Sequence, residues 1–182
     1  MSKYFHLPIG DGYSLVAAEI TMAEDIFKLV DSNREHLRTF LDFVDASVDV
    51  TLQENYIKMK LQGSANGTDK LFFIASGDQL IGTIDLHAIH PTVKKAEIGY
   101  WVHTDYTKKG VTSKAVRALC QYAFDVLKLN KLTIMADVRN IGSNKVAQSC
   151  GFTLLGTRPQ DIFIYEEFQD MNEYYLLKES FR

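Results

Sequence analysis

Between Leu71 and Val138 the apolar residues change period twice, and that change limits what the chain can fold into. Leu71-Phe72-Phe73-Ile74-Ala75 and Leu80-Ile81-Gly82-Thr83-Ile84-Asp85-Leu86 flank a Gly77-Asp78 turn. Aromatic and β-branched runs on either side of turn residues predict an antiparallel hairpin. A further strand is predicted from Ala96 to Val102, after Pro91 and the Lys94-Lys95 pair. From about Val111 to Leu129 the spacing turns helical, with Val116, Leu119, Cys120, Ala123, Phe124 and Leu127 on one stripe. A strand from Leu132 to Val138 and a short helix to about Cys150 follow, stopped by Gly151, the residue favoured just past a helix end. Phe152 to Leu155, Ile162 to Tyr165 and Tyr174 to Leu177 read as strands. This order predicts a mixed α/β fold: a twisted sheet of about six to seven strands flanked by helices.

In the N-terminal half, Thr21 and Glu24 have the spacing of a capping box, in which hydroxyl and carboxylate each satisfy the other residue's amide. Ile26, Leu29, Val30 and Leu37 then recur at helical spacing, and a second helix around Leu52 to Leu61 puts Tyr56, Ile57 and Leu61 on one side. Gln62 to Thr68 reads as a loop by composition. No Pro-rich or Gly/Ser-rich linker divides the 182 residues, so 1–182 are expected to form a single domain.

With 46% hydrophobic and 12% aromatic residues the chain is not a disordered one. A net charge of −3 and a pI near 5.9 give no basic footprint for nucleic acid. The longest apolar run, Leu71 to Ala75, is far short of the roughly 20 residues that cross a bilayer. The opening residues lack a signal-peptide pattern. Neither nucleic acid nor membrane is an expected partner, and a cytoplasmic location is expected. Cys120 lies in the helical stripe and Cys150 before the helix-ending glycine, so both read as inert core thiols. The five histidines have no ligand spacing, and His87 with His90 lacks a third partner; no metal is expected.

The chemistry concentrates in a strand, a Gly-containing loop and a long helix: A-E-I-G-Y-W-V, H-T-D-Y-T-K-K-G-V-T-S, then K-A-V-R-A-L-C-Q-Y-A-F. A helix N-terminus leaves amides unpaired and carries a partial positive charge, so a small-residue turn leading into it can gather amides on a pyrophosphate. Gly110 permits close approach, Lys108 and Lys109 add charge, and Thr112 and Ser113 add hydroxyls. The other reading is an exposed loop with an ordinary cap. Downstream, Asn140 is placed as N-cap of the short helix with Ser143 one turn in, residue types favoured as caps anywhere.

Together these pieces resemble the GNAT-type N-acetyltransferases, in particular the ribosomal-protein N-terminal (RimJ/RimL-like) branch. The resemblance spans nearly the whole chain and is sharpest at K-A-E-I-G-Y-W-V from Lys95 to Val102, Y-T-K-K-G-V-T-S from Tyr106, Asn140-x-x-Ser143 and Gly151-Phe152. Asn33 to Leu41 is similar to that branch's first helical region. The resemblance implies acetyl-CoA as co-substrate, without a metal, its pantetheine arm in a splay between the Ala96–Val102 and Leu132–Val138 strands. It implies a pyrophosphate on the amides of Lys109, Gly110, Val111, Thr112 and Ser113, and Asn140 bonding the pantetheine. The loop departs from the family signature at Thr107 and Thr112. The tyrosine that protonates the leaving thiolate in many members would fall at Ala147; in the ribosomal branch Ser143 takes that role instead.

Glu97, on the splayed strand, is the candidate base, its other reading being a surface residue paired with Lys94 or Lys95. An amide near Val102 is the candidate oxyanion donor, and Tyr100 or Trp101 a wall of the acetyl pocket. The carboxylates Asp42, Asp45 and Asp49, and Glu166, Glu167, Asp170 and Glu173, could attract a cationic acceptor or form solvated faces. The expected activity is acetyl transfer to the N-terminal amine of a protein. The alternatives are a small free amine (amino acid, polyamine or aminoglycoside) or a non-catalytic acetyl-CoA-binding module. A homodimer is compatible with the resemblance.

Overall fold

The computed structural model describes residues 5–182. Eight strands form one sheet in the order β1-β2-β3-β4-β5-β6-β8-β7. The first five are β1 (His6–Gly10), β2 (Tyr13–Ala17), β3 (Lys70–Ser76), β4 (Gln79–His90) and β5 (Lys95–Val102). They pair antiparallel in succession. β6 (Lys131–Asp137) then joins β5 in parallel, and β8 (Glu167–Leu177) and β7 (Thr153–Ile164) complete the sheet antiparallel.

Helices cover both faces. On one lie α1 (Ala23–Asp31), α2 (Arg34–Arg38) and α3 (Val50–Asn66), whose Ile26, Leu29, Val30, Leu37 and Ile57 close over Val16, Phe73 and Ala75. On the other, α4 (Val111–Asp125) and α5 (Ile141–Ser149) lay Val116, Leu119, Cys120, Ala123 and Ala147 on Ile84, Leu86, Ile98 and Leu132. The α4 stripe from Val116 to Phe124 is buried as its spacing predicts, but the helix ends at Asp125 rather than near Leu129 and leaves Leu127 half-buried beyond it; the hairpin turns at Gly77 with φ 58°.

Other expectations need correction. The sheet has eight strands rather than six or seven, because residues 6–17 form a hairpin that carries no clear period. The capping box does not form: Thr21 sits in a 3₁₀ turn, its hydroxyl on Glu19, and α1 starts at Ala23 with no side-chain cap. The Met22 amide is instead satisfied by the Glu19 carbonyl, and Glu24 pairs with Lys28 at 2.8 Å. Gln62 to Asn66 continue α3, which ends on the left-handed Gly67 (φ 78°). The buried side of α3 is Gln53, Ile57, Lys60 and Gly63, while Leu61 faces out. Residues 155–161 are strand, so the two separate runs read there are one twelve-residue β7.

Gly82 marks the tightest approach of β4 to β5: an added Cβ would strike the Trp101 carbonyl oxygen and lie 2.9 Å from Val102 Cα. Backbone cannot yield as a flexible side chain would, so Gly82→Ala is expected to destabilise the fold by about 1–3 kcal/mol, measured by urea unfolding.

Candidate active site

The parallel pairing of β5 and β6 stops almost as soon as it starts. Lys95, Ala96 and Glu97 pair with Lys131, Leu132 and Thr133, and beyond Glu97 the two strands part. β6 remains paired with β8 along its whole length, and β5 with β4 up to Val102. The gap therefore exposes the inner backbone edges of residues 98–102 and 134–137, whose peptide groups need partners.

Two helix N-termini border this wedge. α4 begins at Gly110, left-handed (φ 75°) and without a side-chain cap, so the Val111, Thr112 and Ser113 amides have no intrahelical acceptor. Lys108 is left-handed too (φ 60°), and Lys109 lies over the Tyr106 ring at 5.1 Å. Thr107 donates to the Thr104 carbonyl, which fixes the turn before the loop. These residues fit a diphosphate: uncapped amides, a dipole of the right sign and nearby lysines. α5 begins at Asn140, whose Oδ1 accepts the Ser143 amide at 3.0 Å. Asn144, buried, anchors the same turn. Its amide donates to the Asp137 carbonyl at 2.9 Å, and its Oδ1 accepts from Tyr174 and Asn172 at 2.8 Å. Nothing in the local pattern singled out Asn144; only its neighbours in space do.

Alternation along β5 assigns the strand two different faces. Ala96, Ile98, Tyr100 and Val102 face α4 and α5. The Tyr100 hydroxyl lies 3.0 Å from Ser143 Oγ and 3.2 Å from its carbonyl, bridging β5 to α5. Burial pushes the Tyr100 phenol far above its usual pKa, so it is a neutral hydroxyl. Ala147 is fully buried one turn beyond Ser143 and offers no proton. Burial likewise raises the thiols of Cys120 and Cys150, both free.

Glu97, Gly99 and Trp101 face α1–α3, opposite His87, Asp85 and Thr83 of β4. There a cavity of about 380 Å³ is walled by Leu41, Phe43, Leu52, Tyr56 and Trp101 and floored by Gln53, Thr83 and Asp85. Phe43 and Trp101 meet at 6.5 Å between ring centroids. Asp42 also lines it, whereas Asp45 is paired with Arg38 and Asp49 caps α3. Of the C-terminal acids, Glu167 lies 3.7 Å from Arg139, Asp170 accepts the Gln160 amide and Glu173 pairs with Arg158. The β7–β8 turn is moored beside the cavity: the Tyr165 hydroxyl donates to the Leu41 carbonyl at 2.9 Å, under Arg38 at 4.1 Å from the ring.

Beneath the cavity lies a chain of charges. Lys60 contacts Asp69 at 2.7 Å and Asp85 at 2.6 Å, and His87 joins Asp85 to Glu97, each at 3.3 Å. Glu97 thus meets His87 rather than Lys94 or Lys95. Burial alone would lower the Lys60 pKa, but the Asp85 and Asp69 carboxylates outweigh it and hold the ammonium charged. Hydrogen bonds to Asp85 and then Glu97 raise His87 to about 9.

His87 is therefore a cation at neutral pH, and its contribution to stability is fully present below about pH 6.5 and lost as pH rises through about 9. The stability difference between the wild type and His87→Gln is expected to be constant below pH 6.5 and to shrink across that window, measured by denaturant unfolding at a series of pH values.

Comparison with known proteins identifies the family. Residues 15–153 match the family described as "Acetyltransferase (GNAT) domain". The ribosomal-protein-serine acetyltransferase of Escherichia coli is 31% identical over 173 residues, 92% of this chain and 94% of that protein. The putative ribosomal N-acetyltransferase YdaF of Bacillus subtilis is 33% identical over 161 residues, 86% of each chain. A crystal structure of RimL, the ribosomal L7/L12 alpha-N-protein acetyltransferase, in complex with coenzyme A superposes with a TM-score of 0.90 at 25% identity, covering 95% of this chain and 98% of that one. The chain belongs to the GNAT family of N-acetyltransferases, with acetyl-CoA as its acetyl donor.

Proposed function

We propose that the chain acetylates the N-terminal α-amine of a protein, and that a ribosomal protein, as the relatives' names suggest, is the acceptor. The observation that carries this reading is the meeting of a wedge and a cavity across one strand. The wedge opens at residues 98–102 of β5, and the cavity is lined by Gly99, Tyr100 and Trp101 of that same stretch.

Acetyl-CoA supplies a thioester carbonyl, electrophilic enough for direct attack by a neutral amine. The protein holds the two reactants together and manages protons. Lys109, Gly110, Val111, Thr112 and Ser113 hold the diphosphate through backbone amides, and Asn140, its Oδ1 engaged by Ser143, retains its side-chain N–H groups for the pantetheine arm. The backbone near Val102 stabilises the developing oxyanion, since fixed amides need little reorganisation. Trp101 walls the acetyl pocket. As the C–N bond forms and the C–S bond breaks, Ser143 Oγ passes a proton to the sulfur and takes one from the new ammonium, so the hydroxyl is regenerated.

An α-amine, with a pKa of about 7.7–8.0, sheds its first proton far more readily than a lysine at about 10.4. Glu97, joined to the cavity floor through His87 and Asp85, is the base that receives it. Among the described residues no helix is long and apolar enough to cross a membrane.

The decisive assay follows CoA thiol release with acetyl-CoA and a panel: peptides with free N-termini, N-terminally blocked peptides containing lysine, and polyamines. The free N-termini are expected to turn over fastest at neutral pH. Preferred release with polyamines would reassign the acceptor, and thermal stabilisation by acetyl-CoA without release for any amine would mark a binding module. Ser143→Ala is expected to lower kcat about tenfold or more while leaving the acetyl-CoA KM nearly unchanged; an unaltered kcat removes Ser143 from the proton path.

A further inference from the structure

Asp85, in the cavity lining, and Lys60, beneath it, form a deeply buried ion pair, with side chains 10% and 8% exposed. Removing charges from water is costly unless each is answered. Asp85 is answered on one oxygen only. Its Oδ2 takes both Lys60 Nζ and His87 Nδ1, and among the described residues no donor reaches Oδ1. That oxygen lies over Gly99, where a Cβ would come within 2.6 Å of it, so only glycine leaves it room. Asp85 and Gly99 both line the cavity.

The charge surrounding Asp85 is unbalanced. Lys60 and His87 are two cations against the three carboxylates Asp69, Asp85 and Glu97, which leaves one net negative charge. Arg158, the next cation near Glu97, is held by Glu173 at 2.7 Å and Asp161 at 3.7 Å. Asp42, also in the cavity lining, adds no positive charge.

We infer that Asp85 Oδ1 is the docking point for the acceptor's ammonium group, and so a specificity-determining residue of the cavity. The ligand is a primary ammonium whose adjoining group packs on Phe43 and Trp101. The inference rests on the acceptor site proposed above and deepens it. The cation is captured on Asp85 and then sheds its proton before attack. Neutral or anionic chain ends, such as an N-formylated terminus, find an unanswered carboxylate and are excluded.

The test is equilibrium binding of a short peptide with a free N-terminal serine to the CoA-loaded protein, by calorimetry, alongside its N-formylated counterpart. Asp85→Asn is expected to raise the Kd of the free peptide about tenfold. His87→Gln, which removes a cation from the same cluster, is expected to lower it. A general loss of structure would weaken binding in both variants, so the opposite directions are diagnostic, and CoA affinity in each variant reports an intact fold. Equal binding of the formylated peptide to the wild type, no binding of the free peptide, or unchanged affinity in Asp85→Asn overturns the inference. Binding that follows the expected pattern without acetyl transfer overturns the catalytic reading and leaves Asp85 as the anchor.

Discussion

The parting of β5 from β6 after a single short stretch of parallel pairing is the constraint on which the rest depends. A buried sheet does not leave peptide groups unpaired without cost. Here the opening is sustained because each strand is secured on its far side, β5 by β4 and β6 by β8 along all seven residues. The loop into α4 and the turn into α5 then fall at the same end of the sheet, because each follows one of the parted strands. Local signals that are common on protein surfaces, an uncapped helix start and an Asn N-cap, acquire chemical meaning from that placement.

The same strand divides labour between its faces. Tyr100 reaches Ser143 on the α4–α5 side, and Trp101 meets Phe43 on the α1–α3 side. Gly99, on the same face as Trp101, has no side chain and leaves room for Asp85 and His87. The buried Lys60–Asp85 contact is costly in desolvation, and such pairs are weak contributors to net stability. Its retention beneath a mostly apolar cavity is better understood through what it presents to a ligand than through what it adds to the fold.

Much of the architecture was legible because periodicity is a physical signal. The α4 stripe up to Phe124, the β3–β4 hairpin, the β5 strand and the Asn140 cap all lie where the pattern places them. The errors have equally physical causes. The first hairpin carries Pro8, Gly10 and Gly12, and its outer strand is largely exposed, so no alternation survives. α3 buries Gln53 and Lys60, which made Leu61 look like its inner face. Gln62 to Asn66 are loop-forming by composition, yet they continue a helix whose Gly63 lets Asp69 close on it. The Glu97 partner was hidden because His87 is a neighbour only in the sheet register, and Lys60 and Asp85 are 25 residues apart. Asn144 was invisible for the same reason: its partners come from two other strands.

Because β5 stands between the wedge and the cavity, neither occupant bars the other's way. Under the proposed function the donor lies along one side of the strand and the acceptor enters from the other. Neither thiol offers a stopping place for the acyl group, since both are sealed in the core. Under the direct attack proposed above, turnover passes through a complex in which both reactants are present at once.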